Sequence, residues 1–420
     1  MKQLKEIAKE IEEVKRRVIQ NGGNIYLVGG SIRDIIIGAK GILPSESKPK
    51  DYDFCITGLY QDVFERIFSD SRIQGKDFPV FVLKELPNCE FSLARKERKI
   101  GEGYRGFEIM ASPEVDIEDD LIRRDFTINS IAYNFSTQEV IDPFGGTKDI
   151  ERKVLRATSP AFREDPLRVY RGAQFSAKYG FQVESNTIQM MKELKGELST
   201  ISPERVFVEM RKALRINQPA RFFEVLNQAE VLDVHFPEIA RLIGVLQPIQ
   251  YHPEGDAFKH AMEVLDEVAD ETDREEVRFG ALVHDVGKGV TEQSLWPRHI
   301  GHDKAGVALV LEMAGRLKLP KSWENAGKVS ASEHMRAGRF DEMNPGKKVA
   351  FLEKIARTKL GLKGLEVITR ADGNNVSFAK LGEKMLEEVN GDTLGVEEGK
   401  EAAQKIHEAR VKWMRKQPTG

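Results

Sequence analysis

Cysteine is nearly missing: the 420 residues hold two, Cys55 and Cys89, and neither belongs to a CxxC pair. They read as buried, reduced cytosolic thiols, not as part of a disulfide framework. Long apolar runs are missing too. The densest, around Ile35-Ile36-Ile37, falls far short of the roughly 18 residues that cross a bilayer, so no membrane partner is expected. The first residues are charged and amphipathic and lack the apolar centre of a secretory signal, so a cytoplasmic location is the expectation. Positive charge is not in excess either, with 64 Lys+Arg against 67 Asp+Glu and a net charge of −3. The chain as a whole is therefore no general nucleic-acid binder, although local patches matter more than totals. One patch is Lys405 to Lys416, where Lys405, Arg410, Lys412, Arg415 and Lys416 stand against the single acid Glu408. It suits phosphate contact, or simply the solvated end of a surface helix.

What is present is ample core material, 40% hydrophobic and 31% charged, in a chain too long for one core. About 100–200 residues per domain implies two to four units. Leu4, Ile7, Ile11, Val14 and Val18 recur at helical spacing over the first ~20 residues. Ile25 to Val28 then reads as a buried strand stopped by Gly29-Gly30, with Ser31 as N-cap of a helix closed by Gly38. A polar, Pro-containing loop from Lys40 to Lys50 leads to a strand over Asp51 to Gly58. Further strands are expected at Val80–Leu83, Glu90–Ala94 and Glu139–Asp142, with helices near 59–70 and 123–133. Residues 1–150 thus form an α+β unit on one sheet. Beyond Ile150 the spacing is helical, at 166–180, 186–195, 203–215, 220–230, 257–270, 275–286, 304–317, 324–335, 347–357, 363–371 and 380–388. A loop around Pro248 to Gly255 separates a middle helical region, 151–250, from a C-terminal one, 251–420.

Asp51 and Asp53, two apart on a strand, project from one face. Two such carboxylates repel unless a divalent cation lies between them, the arrangement that holds Mg²⁺ for in-line nucleotidyl transfer. Gly29-Gly30 lets backbone approach a ligand, the next helix offers N–H groups to phosphate, and Arg33 follows in its first turn. The run Arg123 to Asn129 is expected to open a helix, where Arg124 and Asp125 either hold triphosphate and ribose or form a terminal salt bridge. Asp165, Arg168 and Arg171 fall at i, i+3 and i+6, expected on one broad helix face. An Asp/Arg set can read a base edge, or can be a plain ion pair.

The ordered set Leu27-Val28-Gly29-Gly30-x-x-Arg33-Asp34, Asp51-x-Asp53, Arg123 to Asn129, Asp142-Pro143-Phe144-Gly145-Gly146, Glu164 to Arg168 and Ser202 to Arg205 resembles the class II CCA-adding tRNA nucleotidyltransferases and their relatives, the bacterial poly(A) polymerases. The resemblance implies Mg²⁺ on Asp51 and Asp53, and contact of Gly30 and Arg33 with the incoming nucleotide. It implies ribose selection by Arg124 and Asp125, pairing of Asp165 and Arg168 with the base of CTP or ATP, and help from Arg171. The Asp142 to Gly146 turn would be the hinge between C and A addition. Two departures stand out: Gln174 where the family usually has Arg, and a long loop from Gly38 to Asp51.

A second ordered set is His260, His284-Asp285 and Asp372, imidazole and carboxylate ligands for a divalent metal. The segment Ala281 to Gly289 resembles the HD-superfamily phosphohydrolases. Trp296 to Asp303, with Phe91 to Lys99 in the first domain, extends the likeness to the bacterial multifunctional CCA proteins over nearly the whole chain. In those, the HD domain hydrolyses 2′,3′-cyclic phosphates, 2′-nucleotides and other phosphate esters with Mg, Mn, Ni or Co. His299, His302 and His334 are candidates to line that site or to serve structure; His235, His252 and His407 carry no expected role. The implied architecture is a nucleotidyltransferase head with a polymerase-β-like mixed sheet, then all-α neck, body and HD domains. The implied partners are the tRNA 3′ acceptor end, CTP and ATP, for a monomer or homodimer. The alternatives are a poly(A) polymerase, an A-only or C-only enzyme, or an RNA-binding HD phosphohydrolase with an inactive head.

Overall fold

A computed structural model of the chain describes residues 2–42, 51–74, 79–99, 107–250, 252–396 and 399–417. The loop read at Lys40 to Lys50 thus lies largely outside the described residues. Two compact units emerge, Met1–Ile201 and Ser202–Gly420.

In the first unit α1 (Lys2–Glu10) and α2 (Glu12–Gln20) bury Leu4, Ile7, Val14 and Val18. The strands are β1 (Asn24–Val28), β2 (Tyr52–Thr57), β3 (Arg72–Gln74), β4 (Val80–Leu83), β5 (Leu86–Leu93), β6 (Arg95–Lys99), β7 (Phe107–Ala111), β8 (Ala132–Asn134) and β9 (Glu139–Ile141). Seven of these make one sheet in the order β3-β4-β5-β2-β1-β8-β9, while β6 and β7 pair separately. Only β2 and β5 run parallel within the large sheet, so it is mixed. β1 is buried from Ile25 to Val28 because it lies inside the sheet, which explains its unbroken apolar run. Cys55 and Cys89 are free and buried on β2 and β5; burial pushes the Cys89 thiol up to about 12 and Cys55 higher still, so neither is a thiolate at neutral pH.

Helices α3 (Gly29–Ala39), α4 (Gln61–Ile67), α5 (Ile117–Ile122), α6 (Gly146–Arg152), α7 (Leu167–Tyr179) and α8 (Ser185–Glu193) complete this unit, with a small parallel pair β10 (Val154–Leu155) and β11 (Gln182–Val183). Three sequence expectations fail here. Ser31 is not an N-cap: α3 begins at Gly29 with Val28 ahead of it, and the Ser31 hydroxyl goes to the Asp51 carbonyl. The segment 123–133 is no helix: α5 ends at Ile122, a 3-10 turn spans Thr127–Asn129, and β8 follows. Asp125 Oδ1 accepts from the Phe126 amide at 2.9 Å and from Asn129 Nδ2 at 2.8 Å, local bonds that compete with helix. Asp165 is not on α7 either. It stands before Pro166 in extended backbone, φ −123° and ψ 104°, because the proline ring disfavours helix in the residue ahead of it.

Among the described residues the second unit is built of helices: α9 (Pro203–Leu214), α10 (Ala220–Gln228), α11 (Leu232–His235), α12 (Pro237–Ala240), α13 (Ala257–Glu271), α14 (Glu275–Val283), α15 (His302–Arg316), α16 (Lys321–Gly338), α17 (Pro345–Ala356), α18 (Gly361–Ala371), α19 (Ala379–Glu388), α20 (Gly391–Leu394) and α21 (Lys400–Met414). Gly327 lets α16 approach α14 and α15 closely: a Cβ there would meet Phe279, Val310 and Val283 at 2.8, 2.9 and 3.1 Å. Of the C-terminal basic run, Arg410 turns inward to Glu353 at 2.9 Å.

Candidate active sites

The first site is built at the end of β1. Val28 pairs in register with Asp53 across β1–β2, and Asp53 pairs with Glu90 across the parallel β2–β5 ladder. Strands lie about 4.8 Å apart and register partners face the same way, so Asp53 and Glu90 are neighbouring carboxylates. Asp51 stands exposed one residue before β2, its backbone carbonyl held at 3.0 Å by the Ser31 hydroxyl of α3. Burial raises the Asp53 carboxyl above its ordinary range, Arg124 and Arg33 pull it down, and Asp51 adds to the rise. Burial raises Glu90 as well, aided by Asp53 and Asp51. Three mutually repelling carboxylates are a donor set that fits a divalent cation. Glu90 is the functional candidate that sequence reading missed, because the long-range β2–β5 pairing brings it there.

Gly29 has φ +69°, and a Cβ on it would meet Asp53 Oδ2 at 3.1 Å and Arg124 Nη1 at 3.2 Å. The glycine thus lets the chain turn into α3 while carboxylate and guanidinium close over it. A cavity of about 250 Å³ opens here, lined by Val28, Asp53, Glu90, Ser92, Arg123 and Arg124 among others. Both arginines are set by Asp120, which accepts from Arg124 Nη2 at 2.8 Å and Nε at 3.2 Å, and from Arg123 Nε at 3.2 Å. Burial alone would raise Asp120, but the two guanidiniums hold it at about 2.

Arg33 is buried, with Nε 2.8 Å from Asp34 Oδ1, Nη1 on Asn129 Oδ1, and its guanidinium over Phe175 and Tyr179. Gly30 backs onto it: a Cβ there would lie 3.2 Å from Arg33 Nη2. Asp125 accepts from Arg171 Nε at 2.8 Å and Nη2 at 2.6 Å. Burial works against the charge on Asp125, but Arg171, Asn129 and Arg168 bring it down to about 2. Arg168 donates to the carbonyls of Ala161 at 2.8 Å and Arg123 at 2.6 Å, and Asp165 accepts from the Leu167 amide at 3.0 Å. The structure therefore joins Arg168, Arg171, Asp125 and the Arg123-Arg124 corner, with Asp165 capping the helix that carries both arginines. Gln174 is buried on α7. The Asp142 turn caps α6, its carboxylate accepting from the Gly146 and Thr147 amides at 2.7 and 2.8 Å.

The second site lies in the helical unit. His260 is in the first turn of α13, His284 caps α14, Asp285 follows it, and Asp372 caps α18. His284 keeps helical dihedrals while Asp285 leaves the helix at φ −109°, ψ 9°, which turns two adjacent residues onto one point. Ligand atoms of all four lie within 4.8 Å of one another. His260 Nε2 is 2.9 Å from Asp372 Oδ1 and 3.9 Å from Asp285 Oδ2; His284 Nε2 is 3.6 Å and 3.4 Å from the same two atoms. His260 Nδ1 is backed by Glu254 at 2.7 Å and His284 Nδ1 by the Ala281 carbonyl at 2.7 Å, so each ring is oriented from behind. Burial opposes a charge on His284, yet Asp285 and Asp372 hold its pKa up at about 10. His284 Nε2 and both Asp285 oxygens are buried without a well-formed hydrogen bond, although Lys288 Nζ sits beside Asp285 Oδ2. Orphaned imidazole and carboxylate atoms meeting at one point fit a divalent cation. His302 and His334 stand close by, and His299 bridges Thr291 and the Leu246 carbonyl.

Residues 25–156 match a family model described as the poly A polymerase head domain, 180–243 one described as a probable RNA and SrmB-binding site of polymerase A, and 256–352 that of an HD domain. A multifunctional CCA protein of Nitrosococcus oceani is 41% identical over 334 residues, 79% of either chain. One from Nitrosomonas eutropha is 43% identical over 323 residues, 76% of either. A Thermotoga maritima CCA-adding enzyme complexed with tRNA shares the fold at TM-score 0.63 and 18% identity, over 99% of this chain and 93% of that one. A CCA-adding enzyme complexed with ATP does so at TM-score 0.64 and 18% identity, over 97% and 90%. No described helix is long and apolar enough to cross a membrane. With matches to the head, the probable RNA-binding and the HD models in one chain, and two fifths identity over three quarters of its length, the chain belongs to the family of the multifunctional CCA proteins.

Proposed function

We propose that the first unit adds C, C and A to the 3′ end of tRNA from CTP and ATP without a template, and that the second hydrolyses phosphate esters in a metal-dependent reaction. The observation that carries the first half is the register of Val28, Asp53 and Glu90, which sets a carboxylate cluster beside the Gly29-Gly30 turn and Arg124. The names of the curated relatives and the tRNA and ATP complexes of the structural neighbours support it. Magnesium on Asp51, Asp53 and Glu90 would supply activation of the attacking 3′-hydroxyl and neutralisation of the triphosphate. The start of α3 at Gly29-Gly30 presents amides to phosphate, and Arg33 braces that turn from below. Arg124, anchored on Asp120, directs a positive charge beside Asp53, where the triphosphate would lie. Asp125 and Arg171 form one rigid pair for ribose and base, and Asp165 with Arg168 would meet the edge of cytosine or adenine.

In the second unit His260, His284, Asp285 and Asp372 would hold a divalent ion, which supplies an activated water and charge stabilisation. Glu254 fixes the His260 tautomer, and Lys288 places an ammonium next to Asp285, suited to an ester phosphate. Asp53→Ala should abolish nucleotide addition and leave hydrolysis of a 2′,3′-cyclic nucleotide intact, and His284→Ala should do the converse. If each substitution silenced both activities, the reading of two separate sites would be wrong.

A further inference from the structure

Arg171, Phe175 and Tyr179 fall four residues apart along one face of α7, and that face meets α3 and the turn after α5. The Tyr179 hydroxyl donates to Asp34 Oδ1 at 2.9 Å, and Arg33 Nε donates to the same oxygen at 2.8 Å. Arg33 Nη1 donates to Asn129 Oδ1, and Asn129 Nδ2 donates to Asp125 Oδ1 at 2.8 Å. Arg171 Nε closes the circuit on Asp125 Oδ2 at 2.8 Å, which returns it to α7. A guanidinium only donates and a carboxylate only accepts, so one orientation of the Asn129 amide serves both neighbours. Phe175 joins the two arginines directly. The Arg33 and Arg171 guanidiniums each lie over its ring at 5.2 Å, and Arg33 also lies over the Tyr179 ring at 4.9 Å.

Stability alone is a poor reason for this circuit. Arg33 is 5% exposed, and a buried ion pair holds a fold no better than well-packed apolar side chains of similar volume. Arg33 is also absent from the lining of the cavity beside Asp53, so its donors are spent on protein partners. What the circuit joins is the two ends of the proposed transfer site. Gly30 backs onto Arg33 at the turn that would carry the triphosphate, while Arg171 and Asp125 would meet ribose and base. Arg171 therefore cannot shift without disturbing Phe175 and, through it, Arg33 and the turn. We propose that Phe175 and Tyr179 are positioning residues for nucleotidyl transfer. They hold the Asp125–Arg171 pair at a fixed distance from the Gly29-Gly30 turn, so that the α-phosphorus lies in line between the attacking 3′-hydroxyl and the departing pyrophosphate. Neither needs to touch the nucleotide. The proposal rests on the reading of the first unit as a nucleotidyltransferase.

The test is single-turnover extension of a tRNA transcript lacking its last three residues by the full-length chain, with CTP titrated. Tyr179→Phe deletes one oxygen and keeps the ring. Its rate at saturating CTP should fall about tenfold while the half-saturating CTP concentration stays within about twofold, the split expected when alignment and not binding is lost. Phe175→Leu, which removes the ring face under both guanidiniums, should show the same split with a loss of about tenfold or more. Phe175→Tyr keeps that face and should return the rate to within about twofold of the parent's. A Tyr179→Phe rate equal to the parent's, a loss confined to half-saturation, or a Phe175→Tyr enzyme as slow as Phe175→Leu would overturn the proposal and leave the transferase reading standing. A parent chain that does not extend the transcript would overturn both. Should Phe175→Leu fail to fold, Tyr179→Phe decides the matter alone.

Discussion

Asp120 carries two arginines of the proposed transfer site, and its removal should be felt first in the stability of the first unit. Its side chain is 1% exposed, and those of Arg123 and Arg124 are 16% and 19% exposed, so water offers the three charges little compensation. Breaking a buried ion pair by truncating one partner costs about 3–5 kcal/mol, and that is the loss expected for Asp120→Ala. The pairing alone accounts for part of it: a carboxyl brought from 3.8 to about 2 corresponds to about 2 kcal/mol. The remainder is two guanidiniums deprived of their shared anion, and a void. Because the folded-state pKa is depressed, the contribution is complete above about pH 4 and disappears as pH falls towards about 2. The three tryptophans, Trp296, Trp323 and Trp413, all lie in the second unit, so fluorescence does not report on the head. Hydrogen exchange of β1 and β2 amides across a urea series does. A loss below about 1 kcal/mol at pH 7, or a loss of equal size at pH 2 and pH 7, would refute the reasoning.

Glu90→Gln should lower single-turnover CMP incorporation by about 10²-fold or more, the usual cost of an electrostatic group at a transfer site, with the urea midpoint nearly unchanged. Gly287→Ala should remove hydrolysis while leaving nucleotide addition, since a Cβ there would stand 1.9 Å from the His302 carbonyl and 2.6 Å from the Gly306 amide nitrogen. Both obstacles are backbone, so the loop that carries Asp285 must move; unaltered cyclic-phosphate turnover would contradict this. Burial raises the Asp266 carboxyl to about 6 while it accepts from the Ala220 amide at 2.9 Å. A raised carboxyl stabilises below the unfolded pKa near 4, and that stability is lost as pH climbs through about 6. Asp266→Asn should therefore raise the tryptophan-detected urea midpoint at pH 8 but not at pH 4; equal midpoints at pH 8 would count against it.

Local chemistry was legible in the sequence wherever a short-range rule decides it. Gly29 marked the strand end because its left-handed backbone favours glycine, and the period of the second half placed its helices. Asp165 does not begin a helix because it precedes Pro166, whose ring disfavours helical backbone in the residue ahead of it. The helix expected at 123–133 does not form because Asp125 and Asn129 tie the segment into a tight non-helical turn. Glu90 was invisible because only the parallel pairing of β2 with β5, some 37 positions apart, sets it beside Asp53. Sequence order set out His260, His284-Asp285 and Asp372 as one set; that Asp285 also faces His302 and His334 follows from how α14, α15 and α16 pack.

The proposed CCA addition fixes which nucleotides the first unit adds, and in what number. A tRNA transcript lacking its last three residues, offered CTP alone, ATP alone and both, tests it most directly. Two additions are expected with CTP alone, little with ATP alone, and growth by three residues that then stops when both are present. Long adenylate tails from ATP alone would contradict it.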